Sequence, residues 1–330
     1  MTDRDVARLF DPRVLLGEPT TLWLLGGAVA LLAIAPLAFL IAPKSLQPEL
    51  WQRWRTWLVI AAVTLGPIAL GAAATILSVA VLGLLCYREF ARATGLFRNR
   101  LTSATVALAI GLTFFAAIDN YYAFFVALFP LSVGAIALAG VLPDRPDGFI
   151  QRTALATLAY GLFGSGLAHL AFFANNYDYR ALLIWLLVAT ELNDIFAFTA
   201  GKVIGGRKFV PRTSPNKTLG GAVGAVVLTS ATAMPLAMWV FAGTVAGQWY
   251  HALVLAVMIS VLGQCGDLLL SSVKRDLGLK DLGTLLPGHG GLLDRCDSLV
   301  LVAPAVFHYI GYLHGIGGDE TQRLFSAGLF

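Results

Sequence analysis

Charge is scarce in this chain of 330 residues: Asp, Glu, Lys and Arg together make up 13%, against 58% hydrophobic residues. Water-soluble domains run nearer a quarter charged, which excludes a soluble enzyme of ordinary composition. Cysteine is scarcer still. Cys86, Cys265 and Cys296 lie far apart, with no CxxC pair and no metal-ligand spacing. That argues against a disulfide framework and for reduced, structural thiols. The Walker pattern GxxxxGK[ST] is missing, so a nucleotide site here is not an ordinary P-loop. Internal repeats, low-complexity tracts and long linkers are lacking too. So is the period-2 alternation of barrel strands.

What is present is apolar sequence in membrane-length pieces, at a mean hydropathy of +0.76. The windows are 21–42, 56–71, 73–88, 102–117, 121–142, 152–173, 181–201, 219–244, 250–271 and 298–315. About 20 residues of helix cross a hydrocarbon core. The second and third windows run together around residues 66–71. The expected architecture is therefore an all-α, polytopic integral membrane bundle of nine or ten transmembrane helices. The first window is too long for a cleavable signal segment and reads as an anchor. Residues 1–150, plain in chemistry, are expected to be a scaffold of membrane helices, and 151–330 the catalytic membrane domain. The aromatic cluster Phe114, Phe115, Tyr121, Tyr122, Phe124 and Phe125 reads as an interfacial belt.

Basic residues alternate along the loops. Lys44, Arg53 and Arg55 follow the first window, Arg88, Arg92, Arg98 and Arg100 the third, and Arg145 and Arg152 the fifth. Lys202, Arg207, Lys208, Arg212 and Lys217 follow the seventh, and Lys274, Arg275, Lys280 and Arg295 the ninth. The alternate loops hold one arginine, Arg180. This asymmetry predicts a multi-pass protein of the inner (cell) membrane, with loops 202–218 and 272–297 cytoplasmic and both termini outside. The acidic tail around Asp319 and Glu320 fits that orientation.

Three places put ionisable groups where apolar surroundings disfavour them. Glu191, Asn193 and Asp194 interrupt the seventh window. Asp267 stands four residues before Ser271 and seven before Lys274, on one helical face. Asp294 and Asp297 share a face at the start of the tenth window. A carboxylate within a membrane costs on the order of 3 kcal/mol on insertion scales. Structural ion pairs would explain one such residue, but the crowding of all of them against two basic loops favours a functional site.

The loop 285–293 sets three glycines around His289. Glycine lets successive amides face an anion, although a simple turn with a backbone-bonded histidine fits as well. Lys274, Arg275, Lys280 and Arg295 beside paired aspartates suit a metal-bound polyphosphate, and aspartate oxygens suit Mg²⁺. In the other loop, Ser214, Pro215, Asn216, Lys217 and Thr218 offer a proline-fixed turn, two hydroxyls and an amine. Arg207 and Lys208 read as charges that set topology.

Taken in order, Ser271-x-Val273-Lys274-Arg275, Lys280-Asp281-x-Gly283, Leu286-Pro287-x-His289-Gly290-Gly291 and Asp294-Arg295-x-Asp297 form 27 residues in register. They resemble the signature of the phosphatidate cytidylyltransferase (CDP-diacylglycerol synthase) family. Weaker resemblance reaches back through the Ser214–Thr218 turn to Asp194. The resemblance implies cytidylyl transfer from CTP to phosphatidic acid, giving CDP-diacylglycerol and pyrophosphate in phospholipid biosynthesis, with a divalent metal required. It implies Asp267 and Asp294 as metal ligands, and a Mg²⁺ centre paired with K⁺. On this reading Asp297 assists at the metal, while Lys274, Arg275 and Arg295 neutralise phosphate charge. Ser214, Lys217, Lys280 and Asp194 bind substrate, and His289 either orients pyrophosphate or shapes its turn. Expected partners are CTP, phosphatidic acid and the lipid bilayer, with a homodimer left open and no nucleic acid.

Three departures stand out. Asp194-Ile195-Phe196-Ala197-Phe198 occupies the place of the family's usual Asp-x-Gly-Ala-Tyr, Gly220 that of a glutamate, and Cys296 that of an apolar residue. The first two bear on which lipid phosphate is taken more than on the reaction. One rival reading is a cytidylyltransferase for another lipid phosphate, such as an isoprenoid one. A second is a secondary transporter with Glu191, Asp194 and Asp267 as an ion relay. The transporter leaves the Lys/Arg spacing and the His-Gly-Gly turn unexplained.

Overall fold

The computed structural model describes residues 7, 9–40, 44, 47–176, 178–283, 290–315, 323 and 325–326. His289 and the acidic tail with Asp319 and Glu320 lie outside the described residues. Among those described, the long elements are helices: α1 (Pro19–Phe39), α2 (Gln47–Leu70), α3 (Ala72–Ala93), α4 (Arg100–Ile118), α5 (Tyr122–Val141), α6 (Phe149–Phe173), α7 (Tyr179–Val203), α8 (Leu219–Val240), α9 (Trp249–Asp276) and α10 (Leu299–His314). The all-α membrane architecture expected from composition is the one observed. All but α2 and α10 are long and apolar enough to cross a membrane. Their outward faces carry side chains that suit lipid, with Trp23, Leu31, Leu131 and Leu138 all exposed.

Ten helical segments, not nine, follow from a single residue. Gly71 joins α2 to α3 at φ 147°, a backbone conformation that side-chained residues rarely adopt. The Thr75 hydroxyl fastens the joint by donating to the carbonyls of Gly71 (3.0 Å) and Pro67 (3.2 Å). Helix α6 has an irregularity that no periodicity announced. A π-turn over Tyr160–Gly166 tightens into α-helix again at Leu167, and the Tyr160 hydroxyl within it meets Thr113 Oγ1 at 2.9 Å.

Arg180, the lone arginine of the alternate loops, is not a free loop charge. It is fully buried at the start of α7, paired with Glu18 at 2.6 Å and donating from Nε to the Ile68 carbonyl. The loops on that side are therefore poorer in free positive charge than a count of residues suggests.

The site end of the bundle is built by α7, α8, α9 and α10. Asn193, fully buried in α7, accepts from Thr229 of α8 at 3.2 Å and from Ser260 of α9 at 2.6 Å. This polar tie among three helices fixes the rotation of α7 and so the direction of Asp194, the next residue. Helix α9 meets the start of α10 at Gly266, where an added Cβ would overlap the Asp297 carbonyl oxygen. Only a glycine allows that approach, which brings Asp267 beside Asp297.

Candidate active site

The carboxylates of α7, α9 and the 290–298 segment meet in one cavity of about 290 Å³. Asp194, Lys217, Asp267, Asp294, Arg295 and Asp297 all line it, joined by Glu191, Asn216, Thr218 and Gln264. Phe198, Phe209 and Ala222 supply apolar wall. Loop 202–218 thus closes over the cavity from one side and the 290–298 segment from the other. The Arg275 guanidinium clips the two basic loops together, donating to the Thr213 carbonyl at 3.2 Å.

The face predicted on α9 is real. Ser271 Oγ donates to Asp267 Oδ1 at 3.2 Å, and Lys274, one turn on, is buried beneath. The two Asp residues of the signature nevertheless play different parts. Asp294 has both oxygens engaged: Oδ1 pairs with Lys274 Nζ at 3.0 Å, and Oδ2 accepts the amides of Leu282 (3.3 Å) and Gly291 (2.9 Å). It organises the loop. Among the described residues, Asp297 accepts only the Ser298 amide, at 2.8 Å, and Asp194 only the Ser298 hydroxyl, at 3.4 to 3.5 Å. Burial pushes the Asp297 carboxyl well above the usual carboxylate range, and the neighbouring Asp267 and Asp194 add to the rise.

Cations stand on the other side of the balance. Lys217 reaches from its loop to Asp267 Oδ2 at 2.7 Å and to the Gln264 carbonyl at 3.3 Å. Arg295 is exposed at the cavity mouth. Of the remaining predicted residues, Ser214 shapes its turn by accepting the Lys217 amide at 3.2 Å and does not line the cavity. Lys280 is exposed, away from the wall.

The wall carries five carboxylates against two cationic side chains. Lys217 answers Asp267, and Lys274 answers Asp294 from beneath. Glu191, Asp194 and Asp297 have no cationic partner at ion-pair distance among the described residues. A polyphosphate could not enter so acidic a wall without cations to accompany it. Among the described residues, no group of three or more His, Cys, Asp or Glu is gathered so that it could hold a metal ion by itself.

One residue tied to the site escapes the sequence pattern. Glu89, on α3, accepts the backbone amides of Leu292 (3.2 Å) and Leu293 (2.9 Å), immediately before Asp294. It stands among Arg88, Arg92 and other arginines, where a single glutamate looks like surface charge. Its partner is about 200 residues away in sequence. Cys86, one turn earlier on the same helix, neighbours Cys296, so two of the three scattered thiols also meet at this loop, both free.

A relative from Escherichia coli K12, "Uncharacterized protein YnbB", is 38% identical over 199 residues, which is 58% of this chain and 65% of the relative. A "Phosphatidate cytidylyltransferase" from Helicobacter pylori 26695 is 43% identical over 139 residues, 42% of this chain and 50% of its own. One of the same name from Brucella abortus is 40% identical over 152 residues, 45% of this chain and 55% of its own. The chain thus spans about half to two thirds of the length of these curated relatives. The sequence pattern of the "Cytidylyltransferase family" matches residues 51–313, from α2 to the end of α10 and across every wall of the cavity. The chain belongs to the cytidylyltransferase family.

Proposed function

We propose that this protein transfers the cytidylyl group of CTP to phosphatidic acid, forming CDP-diacylglycerol and releasing pyrophosphate. The observation that carries the reading is the cavity at the end of apolar helices, where Lys217 and Arg295 face unpaired carboxylates inside a matched cytidylyltransferase region. Relatives that bear the phosphatidate cytidylyltransferase name supply the substrate pair. In the reaction an oxygen of the lipid phosphate forms a bond to the α-phosphorus of CTP. The bond from that phosphorus to the bridging oxygen breaks, and its electrons leave with pyrophosphate. The nucleophile is ionised near neutral pH, so positioning and charge neutralisation suffice.

The residues present fit Mg²⁺ as donors. Asp267, Asp297 and Asp194 offer carboxylate oxygens beside open space, and one or two of them would suffice, since Mg²⁺ takes one or two carboxylates together with water and substrate phosphates. Asp294, already held by Lys274 and two amides, is the less open ligand. When bound, Mg²⁺ would neutralise phosphate charge. K⁺ as a second metal rests on the family resemblance. Arg295 neutralises phosphate at the cavity mouth, and Lys217 exchanges Asp267 for a phosphate oxygen. Orientation by the positive-inside rule puts this end of the bundle in the cytoplasm of a bacterial inner membrane, where CTP is. A homodimer belongs to the same proposal.

Purified protein in lipid nanodiscs, given CTP, phosphatidic acid and Mg²⁺, is expected to release pyrophosphate, and EDTA to abolish the release. Silence with phosphatidic acid and with every other lipid phosphate would overturn the proposal. A different acceptor is the second reading, favoured by Phe198, which lines the cavity where the family usually has tyrosine. An isoprenoid phosphate outpacing phosphatidic acid in the same assay would select it.

A further inference from the structure

The loop that carries Asp294, Arg295 and Asp297 is tied to the N-terminal half of the molecule by the Glu89 side chain. Glu89 Oε1 accepts the Leu292 amide at 3.2 Å and Oε2 the Leu293 amide at 2.9 Å, so each oxygen holds one of two successive amides. The same carboxylate is wedged between two glycines. A Cβ at Gly291 would sit 2.7 Å from Glu89 Oε2, and one at Gly283 would overlap the carboxyl group. Neither glycine has a positive φ. Their lack of a side chain therefore serves the approach to Glu89 rather than a turn. The Cys86–Cys296 contact lies beside it, one helical turn along α3. Asp294 completes the arrangement by accepting the Gly291 and Leu282 amides, so two carboxylates, from α3 and from the loop itself, gather the backbone of both loop strands.

We propose that Glu89 is a positioning residue of the active site: its carboxylate fixes the backbone at 292–293 and thereby the placement of Arg295 and Asp297 at the cavity. The chemistry is that of a charge-assisted anchor. A carboxylate accepting two amides is held by both oxygens, and a glutamine in its place has one acceptor and turns an amino group against the other N–H. The helix that bears Glu89 has no charged residue from Ala72 to Tyr87, which makes α3 a strut between the scaffold half and the reacting groups.

The consequence for activity rests on the proposed cytidylyl transfer, but the consequence for the loop does not, and the experiment reads both. Full-length wild type and Glu89→Gln are reconstituted in nanodiscs. CTP-dependent pyrophosphate release is measured alongside the N-ethylmaleimide alkylation rate of each cysteine, read by peptide mass spectrometry. Cys296 is buried and Cys265 exposed, so Cys265 is an internal reference for general loosening. Glu89→Gln is expected to lower turnover by tenfold to a hundredfold, on the order found for residues that orient ligands from behind. Cys296 alkylation is expected to rise at least tenfold, with the Cys265 rate and the melting temperature little changed. Glu89→Asp, which keeps both acceptors, is expected to recover part of each. Where Glu89→Gln does not accumulate, Gly291→Ala displaces the same segment by pushing a methyl group against the intact carboxylate and the Gly283 backbone. Unchanged Cys296 alkylation in both variants would overturn the proposal, whatever the turnover. A wild type inert toward CTP would overturn the reaction and leave the alkylation result to decide the role of Glu89.

Discussion

Asp294 and Asp297 are three residues apart in a signature that treats them alike, yet their surroundings assign them opposite energetic roles. Asp294 sits in a buried pair with Lys274 and holds two amides. Removing one partner of such a pair costs about 3–5 kcal/mol because a buried charge is left uncompensated. Asp297 faces Asp267 and Asp194 and accepts a single amide, which an asparagine oxygen could accept as well. Asp294→Asn is therefore expected to lower the melting temperature of detergent-solubilised, chelator-treated protein by roughly 5 °C or more. Asp297→Asn is expected to leave it level or raise it. Both should lose turnover, Asp297→Asn by about a hundredfold as a group aimed at transferring phosphate. Equal destabilisation by the two would contradict the division of labour. Legibility at this scale followed the cost of charge in apolar sequence. Glu191, Asp194, Asp267, Asp294 and Asp297 stood out on that ground, and the structure gathers all five at one cavity with Lys217 and Arg295 of the basic loops. Glu89 did not stand out, because its anchoring role exists only once a distant loop is folded onto it. The split between Asp294 and Asp297 was equally hidden, since it depends on where Lys274 and the loop amides point.

Single elements were easier to read than their joints. Every apolar window became a helix, because a run of about 20 apolar residues has few other ways to satisfy its backbone in a membrane. The joint at Gly71 and the π-turn in α6 were harder, since both depend on local backbone geometry that periodicity does not encode. The contact of α9 with α10 is another such joint, and the site depends on it. At Gly266 a methyl group would overlap the Asp297 carbonyl oxygen, whereas at Gly263 the nearest atom would be Asn193 Nδ2 at 3.3 Å. Gly266→Ala should therefore force α10 away and carry Asp297 with it. A loss of about 1–3 kcal/mol, the usual cost of overpacking, and a fall in turnover of at least tenfold are expected. Gly263→Ala, meeting only the end of a side chain, should be milder in both. Melting curves and pyrophosphate release on the two variants test the comparison. If Gly263→Ala were the more damaging, the Gly266 approach would not be the one that sets the site.

At the scale of the whole molecule, the proposed reaction would require the bundle to bring a water-soluble nucleotide and a membrane-borne lipid to one place. The position of the cavity suits that requirement. It is walled by helix ends from α7, α8 and α9, so its floor faces the apolar bundle, while its cover is made of the two basic loops. Both loops belong to one end of the bundle, as the Arg275–Thr213 and Lys217–Asp267 contacts require. Helix α8 then carries the chain from that end, after Thr218, to the other, at Phe241. Because Arg180 is buried in its pair with Glu18, the described loops that join helices at the far end present little free positive charge, and the positive-inside rule assigns that end to the outside. The assignment makes a sharp prediction. With the native cysteines replaced, Lys208→Cys should react with a membrane-impermeant maleimide in inverted inner-membrane vesicles and stay unreactive in right-side-out vesicles. Ala242→Cys, exposed just past α8, should show the reverse. The opposite pattern at both positions would put the cavity on the side without CTP, and cytidylyl transfer could not be the activity of this site. Labelling of both positions from one face would mean that α8 does not cross, and the shared cavity floor would have to be redrawn.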